Sequence, residues 1–147
     1  MKKYMIVTLL PLVLTASCFS FLKPSITVRE AMQKKQEIDK SDNPAFKHLV
    51  LKDLSKKRVK ISGVTVKEIT ASGNIDYEFC VIADVPYEKG TIDCFIYSHD
   101  IKTIAKLAAG KSKIDVSGDF GRFFTLLDSS YTKIEIVGSS ITILEGK

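Results

Sequence analysis

From Arg58 onward, apolar and polar residues alternate with a period of two, which is typical of β-strands with one buried face. The segment RVKISGVTVKEI follows this pattern except at Ser62 and Gly63, which predicts a strand with a glycine bulge. Four more segments predict further strands: NIDYEFCVIADV, TIDCFIYS, KIDVSGDFGRFFTLL and YTKIEIVGSSITIL. The chain beyond residue 56 is therefore predicted to be mainly β.

The period changes once, in SHDIKTIAKLAAG, where apolar residues recur at helical spacing. Ser98 is placed to cap a helix of about residues 99–109, and Gly110 stands where a left-handed helix end is expected. Three strands, a helix and two strands is the order of an OB-fold, a five-stranded Greek-key barrel. Gly63 fits this fold because the first strand must bend to pair on both sides. We predict an OB-fold domain over residues 56–147, with a helix between strands 3 and 4.

Residues 25–55 have helical signals instead and predict an N-terminal helical arm. Thr27 and Glu30 have the spacing of a capping box, and Asn43 followed by Pro44 predicts the start of a second helix. The apolar residues of the first helix are sparse, so we expect it to be mostly exposed or partly ordered. The second helix, residues 44–55, has one predicted apolar face: Phe46, Leu49, Val50 and Leu54.

The amino-terminal residues have the order of an export signal. Two lysines, the apolar run from Tyr4 to Leu14 and the small residues TAS predict a signal peptide over residues 1–17. The cysteine that follows resembles the lipobox of bacterial lipoproteins, which implies an acylated Cys18 at the start of a tether over residues 18–24. The expected location is the cell envelope, anchored by lipid and facing the periplasm or exterior. Secretion after ordinary cleavage and an uncleaved anchor remain the alternatives.

Two blocks of the barrel region resemble the tRNA_anti-like OB domain family: KKRVKISGVTVKEI and TIDCFIYSHDIKTIAKLAAGKSKIDVSGDFGRF. The matching positions are Val59, Ile61, Gly63, Cys94, Phe95, Leu107, Gly110, Ile114, Val116 and Gly118. The likeness spans about residues 56–145. It implies an OB-fold and says almost nothing about function, because most of these residues are ones that any such barrel needs.

The charge of the chain disfavours a nucleic-acid partner. The chain carries +5, and residues 1–17 hold two lysines and no acid, so the remainder carries a mild +3. OB-folds bind ligands on the second and third strands, where Tyr77, Phe95 and Tyr97 could stack on bases. However, residues 73–100 contain six acidic residues against Lys89 alone, which predicts repulsion of a polyanion.

Few other residues suggest chemistry. Lys56, Lys57 and Arg58 form the most basic stretch, and they are either phosphate contacts or the solvated end of a helix. We expect no metal and no cofactor, because the acids alternate with other residues on strands and the two histidines lack ligand spacing. No nucleophile with a paired base and no glycine-rich phosphate loop is evident, so no enzyme activity is expected.

Cys80 and Cys94 form a candidate disulfide, since an exported protein meets an oxidising compartment. They lie on strands joined by a turn. If that turn is centred on Tyr87, the two cysteines face each other. If it is centred on Glu88 and Lys89, they miss each other and no bond can form. The alternative is that both are small buried apolar residues.

These observations predict an exported, lipid-anchored, non-catalytic binding module of the bacterial cell envelope. Its expected partners are a membrane, through the lipid anchor, and a protein or small envelope ligand. The alternative is a nucleic-acid-binding OB-fold protein, with Tyr77, Phe95 and Tyr97 stacking on bases and Lys56, Lys57 and Arg58 contacting phosphates. A purely structural envelope protein is the third possibility.

Overall fold

The computed structural model describes residues 23–126 and 131–144. The elements in chain order are β1 (Ser25–Thr27), α1 (Val28–Lys40), α2 (Pro44–Leu54), β2 (Arg58–Ala71), β3 (Phe79–Tyr87), β4 (Gly90–Tyr97), α3 (Ile101–Ile104), β5 (Lys113–Phe124) and β6 (Lys133–Leu144). The predicted signal peptide and the lipidation site at Cys18 lie outside the described residues. Within the described residues, no helix is both long and apolar enough to cross a membrane.

Strands β2 to β6 close into a five-stranded barrel. The order is β2-β3-β4-β6-β5, and β2 also pairs with β5. Neighbours in the barrel are antiparallel, except that β4 and β6 run parallel. With α3 between β4 and β5, this is the topology of an OB-fold, and the predicted fold class is confirmed.

Strand β2 belongs to both sides of the barrel because it bends at Gly63. Its first half pairs with β5 and its second half with β3, and the β5 register shifts between Ile61 and Val64. Gly63 has φ +66°, a conformation that costs little only for glycine. The predicted glycine bulge is present and lets one strand close the sheet.

The barrel interior holds the alternate apolar residues that the period-two pattern predicts. Its fully buried side chains include Val59, Val66, Ile96, Ile114 and Ile136. Burying five such chains removes most of their apolar surface from water, which is the main stabilising contribution to folding.

The predicted helical arm packs against the barrel. The capping box of Thr27 and Glu30 starts α1 as predicted, but Ala31 is fully buried and lies in the same apolar cluster as the barrel interior. β1 pairs in parallel with the start of β2, which ties the helices to the sheet. α1 therefore buries one face in the shared cluster through Val28, Ala31 and Met32, while seven of its thirteen residues are exposed, as predicted for a mostly exposed helix.

Helix α2 begins as predicted and packs differently. Asn43 accepts hydrogen bonds from the backbone of Ala45 and Phe46, and Pro44 occupies the first turn. Of the predicted apolar face, Leu54 is fully buried, whereas Phe46 is 40% and Leu49 63% exposed. Helical spacing identified a continuous apolar stripe, but the barrel covers only one flank of it.

Helix α3 is shorter than predicted. It spans Ile101–Ile104, and Asp100 caps it by accepting from the Thr103 backbone N–H at 3.0 Å. The backbone then leaves the helix, and the Gly110 N–H donates to the Val66 carbonyl of β2 at 2.8 Å. Gly110 has the expected positive φ, but it belongs to the turn that returns the chain to the sheet.

The candidate disulfide is wrong. Tyr87 pairs with Gly90, so the hairpin turn consists of Glu88 and Lys89, the arrangement in which the cysteines miss each other. Cys80 lies opposite Tyr97 on the outer surface, whereas Cys94 points into the barrel. Both are free thiols, because side chains on opposite faces of a sheet cannot bond.

Candidate functional site

Outward-facing side chains of the barrel form a shallow groove of about 300 Å³. It lies between the loop that joins β2 to β3 and the residues that follow β5. The pairing of β3 with β4 places Ile82 opposite Phe95 and Cys80 opposite Tyr97 on this surface. Its lining residues are Thr70, Ala71, Gly73, Asn74, Cys80, Phe95, Tyr97, Arg122, Phe124, Leu126 and Glu135.

Two phenylalanines and an arginine form the chemically distinctive part of this groove. The rings of Phe95 on β4 and Phe124 on β5 meet edge to face, with centroids 5.0 Å apart. The Arg122 Cζ lies 5.6 Å from the centroid of Phe124, a cation–π distance. Arg122 Nε donates to Glu135 Oε2 at 2.9 Å, and the arginine side chain is still 69% exposed. The groove thus offers aromatic rings beside an accessible, oriented guanidinium.

The floor of the groove is buried and neutral. Cys80 is 1% and Tyr97 6% exposed. Burial raises the pKa of the Cys80 thiol to about 11, and burial likewise raises the pKa of the Tyr97 hydroxyl. Both groups are therefore protonated at neutral pH. Tyr97, a predicted stacking residue, supports the groove from beneath and exposes little ring surface.

Tyr77 closes one side of this surface. Its ring stacks on His99 with centroids 4.5 Å apart and tilts against Tyr97 at 5.4 Å. The Tyr77 hydroxyl accepts a hydrogen bond from the Gly138 N–H at 2.8 Å, which fixes the loop between β2 and β3 against β6. The structure therefore brings the three predicted aromatics Tyr77, Phe95 and Tyr97 together on one surface.

The predicted cations lie elsewhere. Lys57 pairs with Asp53 at 2.7 Å, and Arg58 donates to the Ser117 carbonyl at 2.8 Å. Lys56 is exposed just after α2. Arg58 lies opposite Asp119 on β5, and the Lys57 carbonyl accepts a hydrogen bond from the N–H of Phe120, two residues before the groove residue at 122. The basic stretch therefore lies beside β5, but none of its residues lines the groove.

Arg122 and Phe124 were not found by sequence analysis because a bulge changes the alternation on β5. Phe120 points into the barrel, and strict alternation would send Arg122 and Phe124 inward as well. The register with β6 shifts between Phe120 and Arg122, so Arg122 and Phe124 turn outward. The glycine at position 121 in the segment FGRFF is the only sequence signal of this shift.

A second cluster on the same outer surface is ionic. Asp84 and Asp93 lie opposite each other on β3 and β4, and Lys67 Nζ lies 3.1 and 3.0 Å from their carboxylates. Lys133 Nζ, whose side chain is 7% exposed, donates to Asp93 at 2.8 Å. A hydrogen bond with Asp84, and then those from Lys133 and Lys67, hold the pKa of Asp93 well below its usual range.

This cluster changes the charge of the predicted binding surface. Lys67 and Lys133 lie outside residues 73–100 in the sequence, so counting charges in that segment misses them. They neutralise two of its six acids, Asp84 and Asp93. Asp100 caps α3 and keeps its negative charge there. The repulsion predicted for a polyanion is correspondingly weaker than the sequence indicated.

In the part of the chain that the structure describes, no three potential metal-ligating side chains come together. Among the described residues that line the groove, Glu135 is the one carboxylate, and it is bonded to Arg122. The chemistry that the groove offers is aromatic contact combined with positive charge.

No family model and no curated protein matches the chain. Among solved structures it is similar to the mitochondrial single-stranded DNA binding protein Rim1 of S. cerevisiae, at 18% identity and a TM-score of 0.43, over 61% of this chain and 96% of that one. Another crystal of Rim1 gives 17% identity and a TM-score of 0.38 over the same shares. A Plasmodium falciparum SSB complex with ssDNA gives 11% identity and 0.40, over 60% of this chain and 94% of that one.

Two predictions are corrected here. The similar structures are named for binding single-stranded DNA, which contradicts the prediction that nucleic acid is a disfavoured partner. The same finding contradicts the main functional prediction, an envelope module for a protein or small ligand, and favours its alternative. Export, lipidation at Cys18 and the tRNA_anti-like resemblance stay predictions.

Proposed function

We propose that this domain binds single-stranded nucleic acid in the groove between Phe95 and Phe124, without catalysing a reaction. The observation that supports the proposal is the pair of phenylalanine rings with the Arg122 guanidinium over one of them. Every base has a π-face, so aromatic rings bind unpaired bases with little sequence preference. A guanidinium beside them can stack on a base or bind a phosphate oxygen with its N–H groups.

The groove favours a single strand over a duplex. Its rings lie on a concave surface of the barrel, where only unstacked bases can reach them. The ionic cluster of Lys67, Asp84, Asp93 and Lys133 lies two residues along β4 from Phe95. A bound strand that continues in this direction meets paired charges and no net negative patch.

Fluorescence anisotropy of the full chain with a labelled oligo-dT tests this proposal. Phe124→Ala should weaken binding about 5- to 150-fold, since stacking on an aromatic side chain contributes about 1–3 kcal/mol per base. Arg122→Gln should weaken binding and flatten its dependence on salt, because one cation leaves the interface. Phe46→Ala is the matched control, since Phe46 is also a partly exposed phenylalanine but lies on α2.

Each outcome decides the proposal. Unchanged affinity in the folded Phe124→Ala protein, or an equal loss in Phe46→Ala, would contradict it. So would the absence of binding to oligo-dT and oligo-rU at low salt. If Phe124→Ala unfolds, Arg122→Gln decides, because the Arg122 side chain is 69% exposed and a glutamine amide is still a hydrogen-bond donor for Glu135.

A further inference from the structure

Helix α2 exposes apolar side chains that the barrel does not cover. Phe46 is 40% and Leu49 63% exposed, and the two lie three residues apart, on adjacent turns of one helix face. Covering such side chains with an apolar phase is favourable, because it removes their surface from water. We call Phe46 and Leu49 the α2 patch. Neither residue belongs to the apolar clusters of the folded domain.

Exposed lysines flank the patch on one side. Lys52 follows Leu49 by three residues on α2, and Lys56 is exposed two residues beyond the end of the helix. A helix surface with bulky apolar residues beside lysines is the pattern of segments that lie in a membrane interface. The lysines are complementary to anionic lipid headgroups, whereas an ordinary apolar protein partner would not require them.

The position where the described chain begins also points to lipid. The Arg58 N–H donates to the Pro24 carbonyl at 2.9 Å, and α2 ends only a few residues before Arg58. The chain that precedes Lys23 therefore joins the domain beside the carboxyl end of α2. That preceding chain contains the uncharged run from Tyr4 to Leu22, the most apolar part of the sequence. An apolar phase that takes up this run would be adjacent to α2.

We propose that the patch on α2 contacts an anionic lipid surface, with Phe46 and Leu49 at the level of the headgroups and Lys52 and Lys56 on the headgroup charges. This contact is separate from the groove, which uses β4 and β5.

The chain contains no tryptophan, so a single introduced one reports its own surroundings. Leu49→Trp in the full chain should shift its fluorescence emission to the blue when vesicles of phosphatidylcholine and phosphatidylglycerol are added. Brominated lipid should then quench that emission. Phe46→Trp is a second probe of the same patch, in case the first variant fails to fold. Ile75→Trp is the matched control, because Ile75 is an apolar residue that is 99% exposed in the loop between β2 and β3.

The proposal is overturned if both α2 probes keep their emission unchanged with vesicles. It is also overturned if Ile75→Trp shifts equally, since the lipid contact would then not be specific to α2. Emission that is already blue before lipid is added and does not change with vesicles would also overturn it, because the chain's own amino-terminal run or a second copy would then cover the patch. Loss of the shift with purely zwitterionic vesicles is the expected result for the role of Lys52 and Lys56.

Discussion

At the scale of single residues, the close approach of β5 and β6 depends on a missing side chain. A Cβ at Gly118 would lie 2.2 Å from Ser139 Oγ, 2.7 Å from Ile136 Cγ2 and 2.9 Å from the Val137 carbonyl. The serine hydroxyl can rotate away, but a backbone carbonyl and a fully buried isoleucine cannot move without disturbing the barrel. In the sequence, nothing distinguishes Gly118 from the other glycines that lie in strands.

Gly118→Ala should therefore destabilise the domain by about 2 kcal/mol or more, as overpacking does. Urea denaturation followed by circular dichroism measures the change. Gly73→Ala is the control, because nothing lies within 4 Å of its added methyl group and its φ is ordinary. Equal stability of the two variants would show that the strands can separate without cost.

At the scale of elements, the ionic cluster joins β2, β3, β4 and β6. Asp93 pairs with both Lys67 and Lys133, and the lysine at 133 has a nearly buried side chain. Removing the charge of Asp93 leaves that buried ammonium without its counterion, which costs much more than losing a surface pair.

Asp93→Asn should lower the free energy of unfolding by about 3 kcal/mol at neutral pH. Lys34→Gln is the control, since its pair with Glu37 on α1 is exposed and should change stability by less than about 0.5 kcal/mol. Similar effects of the two substitutions on the free energy of unfolding would show that the cluster stabilises the fold no more than a surface ion pair does.

The pH dependence of stability should follow the sign of the Asp93 shift. Its pKa is lower in the folded protein than the unfolded value of about 3.9, so its stabilisation is complete above about pH 5. The stabilisation is lost as the pH falls through the folded pKa. The free energy of unfolding, measured between about pH 5 and 2, should therefore fall more steeply with decreasing pH for the wild type than for Asp93→Asn. Asp84, whose pKa is raised first by burial and then by its hydrogen bond with Asp93, opposes this trend in the wild type.

At the scale of the whole molecule, the two amino-terminal helices and the barrel share one core. Leu54 at the end of α2 is fully buried and belongs to the same apolar cluster as the barrel interior. A shared core should make helices and barrel unfold together. Leu54→Ala should then cost about 3 kcal/mol, and helical and tertiary signals should disappear in one transition.

Leu51→Ala on the same helix is the control for that measurement, since Leu51 is 41% exposed. A helical signal that melts before the barrel would contradict the shared core. It would instead show that the predicted helical arm over residues 25–55 unfolds as a unit of its own.

The sequence alone determined the features that depend on neighbouring residues. Alternation defined the strands, Thr27 with Glu30 and Asn43 with Pro44 started the helices, and Gly63 identified the bend. These signals are local, because a cap or a strand period involves residues within a few positions of one another. Their order was enough to predict the OB-fold.

The tertiary structure decided everything that depends on register. A bulge at residue 121 turns Arg122 and Phe124 outward, a two-residue hairpin separates Cys80 from Cys94, and strand pairing brings distant lysines to Asp84 and Asp93. One residue of register moves a side chain to the other face of a sheet, and the period-two pattern cannot fix that residue across a bulge. The physical reason is that register is set by turns, bulges and packing over the whole barrel, so the groove exists only once the barrel closes.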